Sequence, residues 1–425
     1  MKKTQFYILI AAAMCSTLGA CSAKLDLYPS TGVSPDAITE KDLPALRLGM
    51  YNEVQNAPGA ESYILFDLLG GDLHTASGNP IDLINSILSP LNSVIANNWN
   101  GYYKAIYQVN NMIAVGERFG SSQARNIALG EAHYFRAYIY YSLITRWGAV
   151  PILRQNTLEK VSRNPENEVW DFIEEDLNTA EGLLGTSTNY YYVSRDAATA
   201  LKARVKLNQG KMGEAAELAE SLIKNGKYKL DSFEKIFRKL ANTEVIFAFE
   251  NLSEESSNNI SDLFYTYAHT NKGQGKYRVF PDMLNAFSTS DKRRAISIVN
   301  ISGTDCINKY PSGQTGRDPV ILSRIAEMYL ISAEAQGRVN GLSRLNELRA
   351  VRGLSPVAFG SDTDYLDAII KERRLEFLGE NMRYNDLTRT DKAIQTLHLL
   401  PHQTVLPIPG RELQNNTNIT PNEGY

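Results

Sequence analysis

Two groups of residues bring polar, charged and aromatic side chains together in a way that could hold a ligand. Gly71-Asp72-Leu73-His74 is one half of the first group and Asn98-Trp99 the other; Tyr265, Tyr267, Tyr277 and Arg278 crowd a later segment and form the second. Flat CH faces of a sugar ring stack on aromatic rings, while its hydroxyls pair with Asn, Asp, Arg and amide groups. The chain carries 23 tyrosines, so rings are plentiful, and each must be sorted into contact or packing. Tyr134, Tyr138 and Tyr141 recur at helical spacing and read as packing. Trp99 reads either as a stacking platform or as a packing residue. His74 has no second histidine at ligand spacing, so it reads as a hydrogen-bond donor or plain surface, and no metal is expected.

Hydrolysis of a glycosidic bond needs two carboxylates about 5–10 Å apart across it, one of them with its acidity weakened by apolar burial. Paired acids occur at Glu174-Glu175-Asp176, read as a helix surface beside Trp170 and Phe172, and at Glu254-Glu255, read as a solvated loop. Neither has a reason to be buried. The chain also has no His-Glu-x-x-His motif, phosphate loop, dinucleotide glycine fingerprint or Gly-x-Ser-x-Gly elbow. The expectation is a protein that is not an enzyme and needs no cofactor.

The start of the chain reads as an address. Lys2 and Lys3 precede an apolar stretch from Phe6 to Leu18 that is too short to span a bilayer, so residues 1–20 form a signal peptide. Leu18-Gly19-Ala20-Cys21 resembles a lipoprotein box, in which Cys21 is acylated and becomes the first mature residue. Two or three acyl chains, at about 0.8 kcal/mol per buried methylene, hold a protein firmly to a bilayer. Ser22, where an aspartate would favour inner-membrane retention, points to the outer membrane. Cys15 leaves with the signal, so Cys306 is left alone, and neither a disulfide nor a cysteine metal site can form. Without Lys2 and Lys3 the 44 basic residues fall to 42 against 47 acidic, a net charge near −5 that argues against nucleic acid.

The elements that must position these residues are mostly helical. Apolar residues at helical spacing predict helices near 40–56, from Trp99 to Ile113, and from about Ala124 to Trp147, the last stopped by Gly148 and Pro151. Residues 196–224 predict an antiparallel helix pair whose small residues (Ala197, Ala200, Ala203, Ala215, Ala219) allow close approach, as in a tetratricopeptide unit. A second pair is expected over 321–352, broken at Asn340-Gly341, with Ile321 and Ile325 in its inner stripe. Between the pairs, residues 226–320 read as a loop-rich insertion with one buried strand at Glu244–Glu250. A rigid frame carrying such an insertion suits a binding site.

The C-terminal residues add a signature. A charged helix runs through Glu372-Arg373-Arg374-Leu375-Glu376-Phe377 and on to Arg383-Tyr384-Asn385-Asp386-Leu387-Thr388-Arg389. A Pro-rich strand at Leu406–Pro409 and an Asn-rich tail follow. Glu372, Arg373, Glu376, Arg383, Asp386 and Arg389 suit an internal ion-pair lattice better than a ligand site. Together with Gly49-Met50-Tyr51, the Trp99/Tyr102/Tyr103/Asn110 helix, Gly148–Pro151 and Ile325–Leu330, this ending resembles the SusD/RagB family. Asn381 stands where a glycine is common, and asparagine tolerates the left-handed backbone such a turn needs.

The resemblance implies one SusD-like domain over 21–425, with a helical-repeat scaffold at 40–225 and 321–400 and the insertion between. It also implies a nutrient-binding lipoprotein that acts with a SusC-like TonB-dependent barrel, capturing an oligosaccharide or, in some relatives, a peptide. The other readings are a glycoside hydrolase and a structural helical-repeat adaptor without a small ligand.

Overall fold

The computed structural model describes residues 37–75, 80–254 and 258–425. The signal peptide, Cys21 and Glu255 lie outside the described residues. Residues 37–42 carry a single 3-10 turn closed by Thr39, whose amide and hydroxyl both donate to Asp42 at 2.8 Å. The body that begins at Leu43 is a chain of helices: α1 (Leu43–Asn56), α2 (Ser93–Gly116), α3 (Gln123–Trp147), α4 (Glu166–Leu183), α5 (Arg195–Asn208), α6 (Met212–Lys224), α7 (Ile325–Val351), α8 (Asp362–Glu376) and α9 (Arg383–Arg389), with shorter helical turns between. The mostly α expectation holds.

Each of α1 to α8 packs on the next, so the helices form a continuous stack in chain order. Local chemistry sets their ends. Asn92 caps α2 by accepting from the amides of Val94 and Ile95 at 2.9 and 3.3 Å, and Ser122, Ser194 and Ser361 cap α3, α5 and α8 in the same way. Gly148 ends α3 with a φ of 69°, which a side chain would resist. Tyr134, Tyr138 and Tyr141 are buried, as their spacing predicts. Trp99 meets Trp147 edge-on at 5.2 Å, joining α2 to α3. Ala197, Ala200, Ala203, Ala215 and Ala219 are fully buried between α5 and its neighbours.

Three two-stranded antiparallel sheets occur among the described residues: β1 (Leu73–His74) with β3 (Arg278–Val279), β2 (Val245–Phe249) with β6 (Val320–Arg324), and β4 (Ile298–Ile301) with β5 (Thr304–Ile307). The buried strand expected at 244–250 is β2. Ile321, expected in a helical stripe, lies instead on β6, which pairs with β2 and runs straight into α7. The break expected at Asn340-Gly341 falls at Gly337, which has a φ of 71°. Gly341 continues the helix, and its missing Cβ leaves room for the Ala333 carbonyl. Leu406–Pro409 is extended but joins no sheet. Its bonds to the rest of the chain include those from the Leu406 amide to Arg146, from the Trp147 indole to Pro407 at 3.1 Å and from the Asn422 amide to the Leu406 carbonyl at 2.8 Å. Among the described residues, no helix is long and apolar enough to cross a membrane.

Candidate functional site

The C-terminal charges are internal. Glu376 is fully buried and meets Arg293, Arg324 and Arg352 at 2.9, 2.5 and 2.7 Å. Burial alone would raise its carboxyl, but the three guanidiniums outweigh burial and hold it well below the usual range. Glu372 pairs with Arg293 and Arg349, Arg373 with Asp386 at 2.8 Å, and Arg389 with Asp386 and Glu334. Glu244 and Glu380 extend the lattice through Arg324, and Lys309 reaches Glu380 at 2.6 Å. Burial brings the Lys309 ammonium down to about 8 against that partner. Arg383 stands apart, because its buried Nε has no partner.

The paired acids are likewise engaged. Asp176, expected on a helix surface, is buried and receives Arg136 at 2.8 Å and His133 at 2.6 Å. Burial works upward on Glu174, yet hydrogen bonds from Lys206 and Lys211 hold it at about 2, the opposite of a weakened catalytic acid. Among the described residues, no cluster of His, Cys, Asp and Glu could hold a metal.

A different environment lies where α1 ends. Pro58, Gly59, Glu61, Pro80, Ser93, Val94, Asn97, Asn98 and Lys276 line a cleft of about 320 Å³. The α2 backbone comes close here because Gly101 has no Cβ to strike the Ala57 carbonyl. Asn98 is 1% exposed; its amide nitrogen donates to the Pro58 carbonyl at 3.2 Å, and its Oδ1 has no partner. A buried acceptor without a donor is costly in a folded protein, and a ligand hydroxyl would complete it. Opposite stands Lys276, whose ammonium meets Glu61 at 2.5 Å, with the Tyr277 hydroxyl 3.4 Å from the same carboxylate.

The remaining predicted residues disperse. Tyr277 and Val279 are buried, whereas Lys276, Arg278 and Phe280 are partly exposed, the alternation of an extended segment. His74 lies opposite Arg278 in the β1–β3 register, with its ring 4.8 Å from Phe280. Burial and then the Arg278 charge lower its pKa. Asp72 is buried and holds Arg374 at 2.6 Å. Tyr265 is buried, its hydroxyl donating to Asn308 at 2.6 Å, and Tyr267 is 71% exposed beneath the Lys272 ammonium.

Trp99, one residue and about 100° round the helix from Asn98, is 2% exposed and borders a separate cleft with Tyr103 and Glu412. A larger cavity, about 830 Å³, lies between α1, α3 and the end of α4. Its charged groups, Arg47 and Glu131, are already joined by two 2.6 Å bonds. The smaller cleft is the candidate site because it has an unused polar atom. Sequence reasoning found Asn98 but missed Glu61 and Lys276, which are 215 residues apart; the Pro58-Gly59 turn was the one local signal.

Comparison with known proteins follows the same lines. Residues 25–207 match a family model described as starch-binding and associating with the outer membrane, and residues 305–403 match the SusD family model. SusD-like protein P38 of Formosa agariphila is 25% identical over 99% of this chain and 98% of its own. A SusD superfamily protein of Bacteroides thetaiotaomicron superposes with a TM-score of 0.79 at 23% identity, covering 91% of this chain and 100% of that one. A laminarin-binding SusD-like protein superposes at 0.78 with 24% identity, over 91% and 99%. With two family models spanning more than half of its length and relatives aligned almost end to end, the chain belongs to the SusD/RagB family.

Proposed function

We propose that this protein is a nutrient-binding lipoprotein of the outer membrane that captures an oligosaccharide in the cleft between α2 and Lys276 and does no catalysis on it. Cys21 carries the acyl anchor, and the body faces the cell surface. The partner is a SusC-like TonB-dependent barrel that takes up the captured ligand. The observation that carries the reading is Asn98. Its buried, unpartnered oxygen borders a cleft lined by a hydroxyl, a second amide and a neutralised ion pair, which is a set suited to sugar hydroxyls. The family description and the laminarin-binding neighbour support a glycan over a peptide.

No aromatic residue is among those that line the cleft, so affinity is modest: micromolar to millimolar, about −4 to −8 kcal/mol. Calorimetric titration of the purified protein with a panel of oligosaccharides tests this. Binding in that range that Asn98→Leu weakens about tenfold supports the reading; it is refuted if no glycan binds, or if reducing ends are released. Metabolic labelling with a fatty acid, lost in Cys21→Ala, tests the anchor.

A further inference from the structure

Beside the cleft lies a cation without a counter-ion. Lys276 is matched by Glu61, and Arg374 by Asp72 at 2.6 Å and Asp282 at 3.2 Å. The side chain of Arg278, partly exposed between them, makes no ion pair and no hydrogen bond with any described residue. None of its described titratable neighbours forms an ion pair with it. Burial keeps the His74 imidazole neutral near pH 7, and burial pushes the Cys306 thiol up to about 11. Asp305, on the adjoining β5, is engaged by Asn300 at 2.8 Å. An unpaired guanidinium is a planar fork whose geometry matches a carboxylate or a sulfate, and leaving it half-covered without an anion gains the fold nothing.

The position of Arg278 matters as much as its charge. Arg278 and Phe280 are partly exposed on either side of the buried Val279, and Lys276, two residues earlier, places its ammonium on Glu61. Two residues of extended backbone put Arg278 about 7 Å from Lys276 at the cleft wall. His74 stands across the β1–β3 ladder with its ring against Phe280. A ligand in the cleft that runs along this segment meets Asn98 and Lys276 first, then a guanidinium backed by an imidazole and a phenyl ring.

We propose that the ligand is an acidic glycan, one bearing a carboxylate or sulfate substituent, and that Arg278 is the residue that reads the acid group. This rests on the glycan-binding reading above and narrows it. The test titrates the full chain with an oligogalacturonate, a sulfated galactan oligosaccharide and a neutral galactan oligosaccharide of equal length, at low and at physiological salt. At least one acidic probe is expected to bind tenfold or more tightly than the neutral one, with the advantage shrinking as salt rises. Arg278→Gln is expected to remove that advantage while leaving neutral binding within twofold, and Arg278→Lys to restore part of it.

Equal binding of all three probes, or an equal loss on all three in Arg278→Gln, overturns the inference while the glycan reading stands. Binding of none of them, together with a blank glycan panel, removes both. A preference for the carboxylate over the sulfate, or the reverse, identifies which acid group the fork receives.

Discussion

Glu376 and Asn98 are both almost completely buried polar residues, and the fold treats them in opposite ways. Every approach to Glu376 is filled by an arginine from elsewhere in the chain: Arg293 from the insertion, Arg324 from β6 and Arg352 from the end of α7. Asn98, which lines the cleft, spends its amide nitrogen on Pro58 and leaves its buried oxygen without a partner. The first arrangement locks three distant segments into one geometry. The second leaves a hydrogen bond unmade beside a cleft, where a ligand can provide it. A rigid ionic interior and an incomplete polar cleft are thus complementary, since the frame fixes where the unsatisfied oxygen points.

The largest effect is expected at the frame. Glu376→Ala removes the one carboxylate that joins three buried guanidiniums, leaving Asp291, Glu372, Glu244 and Glu380 to balance them, and should cost about 3–5 kcal/mol, read as a shift in the urea unfolding midpoint. Little change would mean that the lattice is not what holds the insertion to the helices. Trp99→Ala should follow closely at about 3–5 kcal/mol, because the ring is packed against Trp147 and leaves a cavity. Its neighbour tells the two regions apart. Asn98→Leu should cost only about 1 kcal/mol of stability, for the lost bond to Pro58, yet weaken glycan binding about tenfold. If Trp99→Ala spared stability and abolished binding, the assignment of these adjacent residues would be reversed.

Acid should weaken the frame. Glu174 and Glu220 keep their charge down to about 2, and Glu376, Glu380 and Asp386 are also lowered. In the unfolded chain such groups take up protons near 4. Their contribution is therefore complete above that value and is lost as the pH falls toward 2. Buried Asp67 and Glu131, whose pKa values are raised, act in the other direction. A melting temperature that drops steeply between about pH 4.5 and 2 is expected; a flat profile there contradicts it. The smallest effect belongs to Arg383, which lacks a partner for its Nε. Arg383→Met should change stability by under about 1 kcal/mol, whereas Arg389→Met, which strands Glu334 and leaves Asp386 to Arg373 alone, should cost several-fold more.

The pattern of what the sequence revealed follows from the range of each interaction. Helices α2, α3, α5 and α6 were legible because their apolar and alanine spacing is encoded within a few residues. β6 was read as helix because Val320–Arg324 continues the apolar stripe of α7 without a break, and only its pairing with β2 makes it a strand. The Asn340-Gly341 pair looked like the helix break because it is a common turn dipeptide, whereas the backbone turns at Gly337. Asn381 does take the left-handed conformation its position called for, at a φ of 64°. The charged C-terminal helix announced a lattice, but its partners Glu244, Arg293, Arg324 and Arg352 are set by the fold and carry no local mark. The same holds for the cleft: Asn98 stands out beside a tryptophan, while the Glu61–Lys276 pair that closes it exists only after folding.

Hydrogen–deuterium exchange with and without a bound oligosaccharide tests the central claim most directly. The account predicts added protection at 58–61, 93–98 and 274–280, with the ionic interior already protected and unchanged. Protection confined to the cavity around Arg47 and Glu131, with residues 93–98 unaffected, would contradict it.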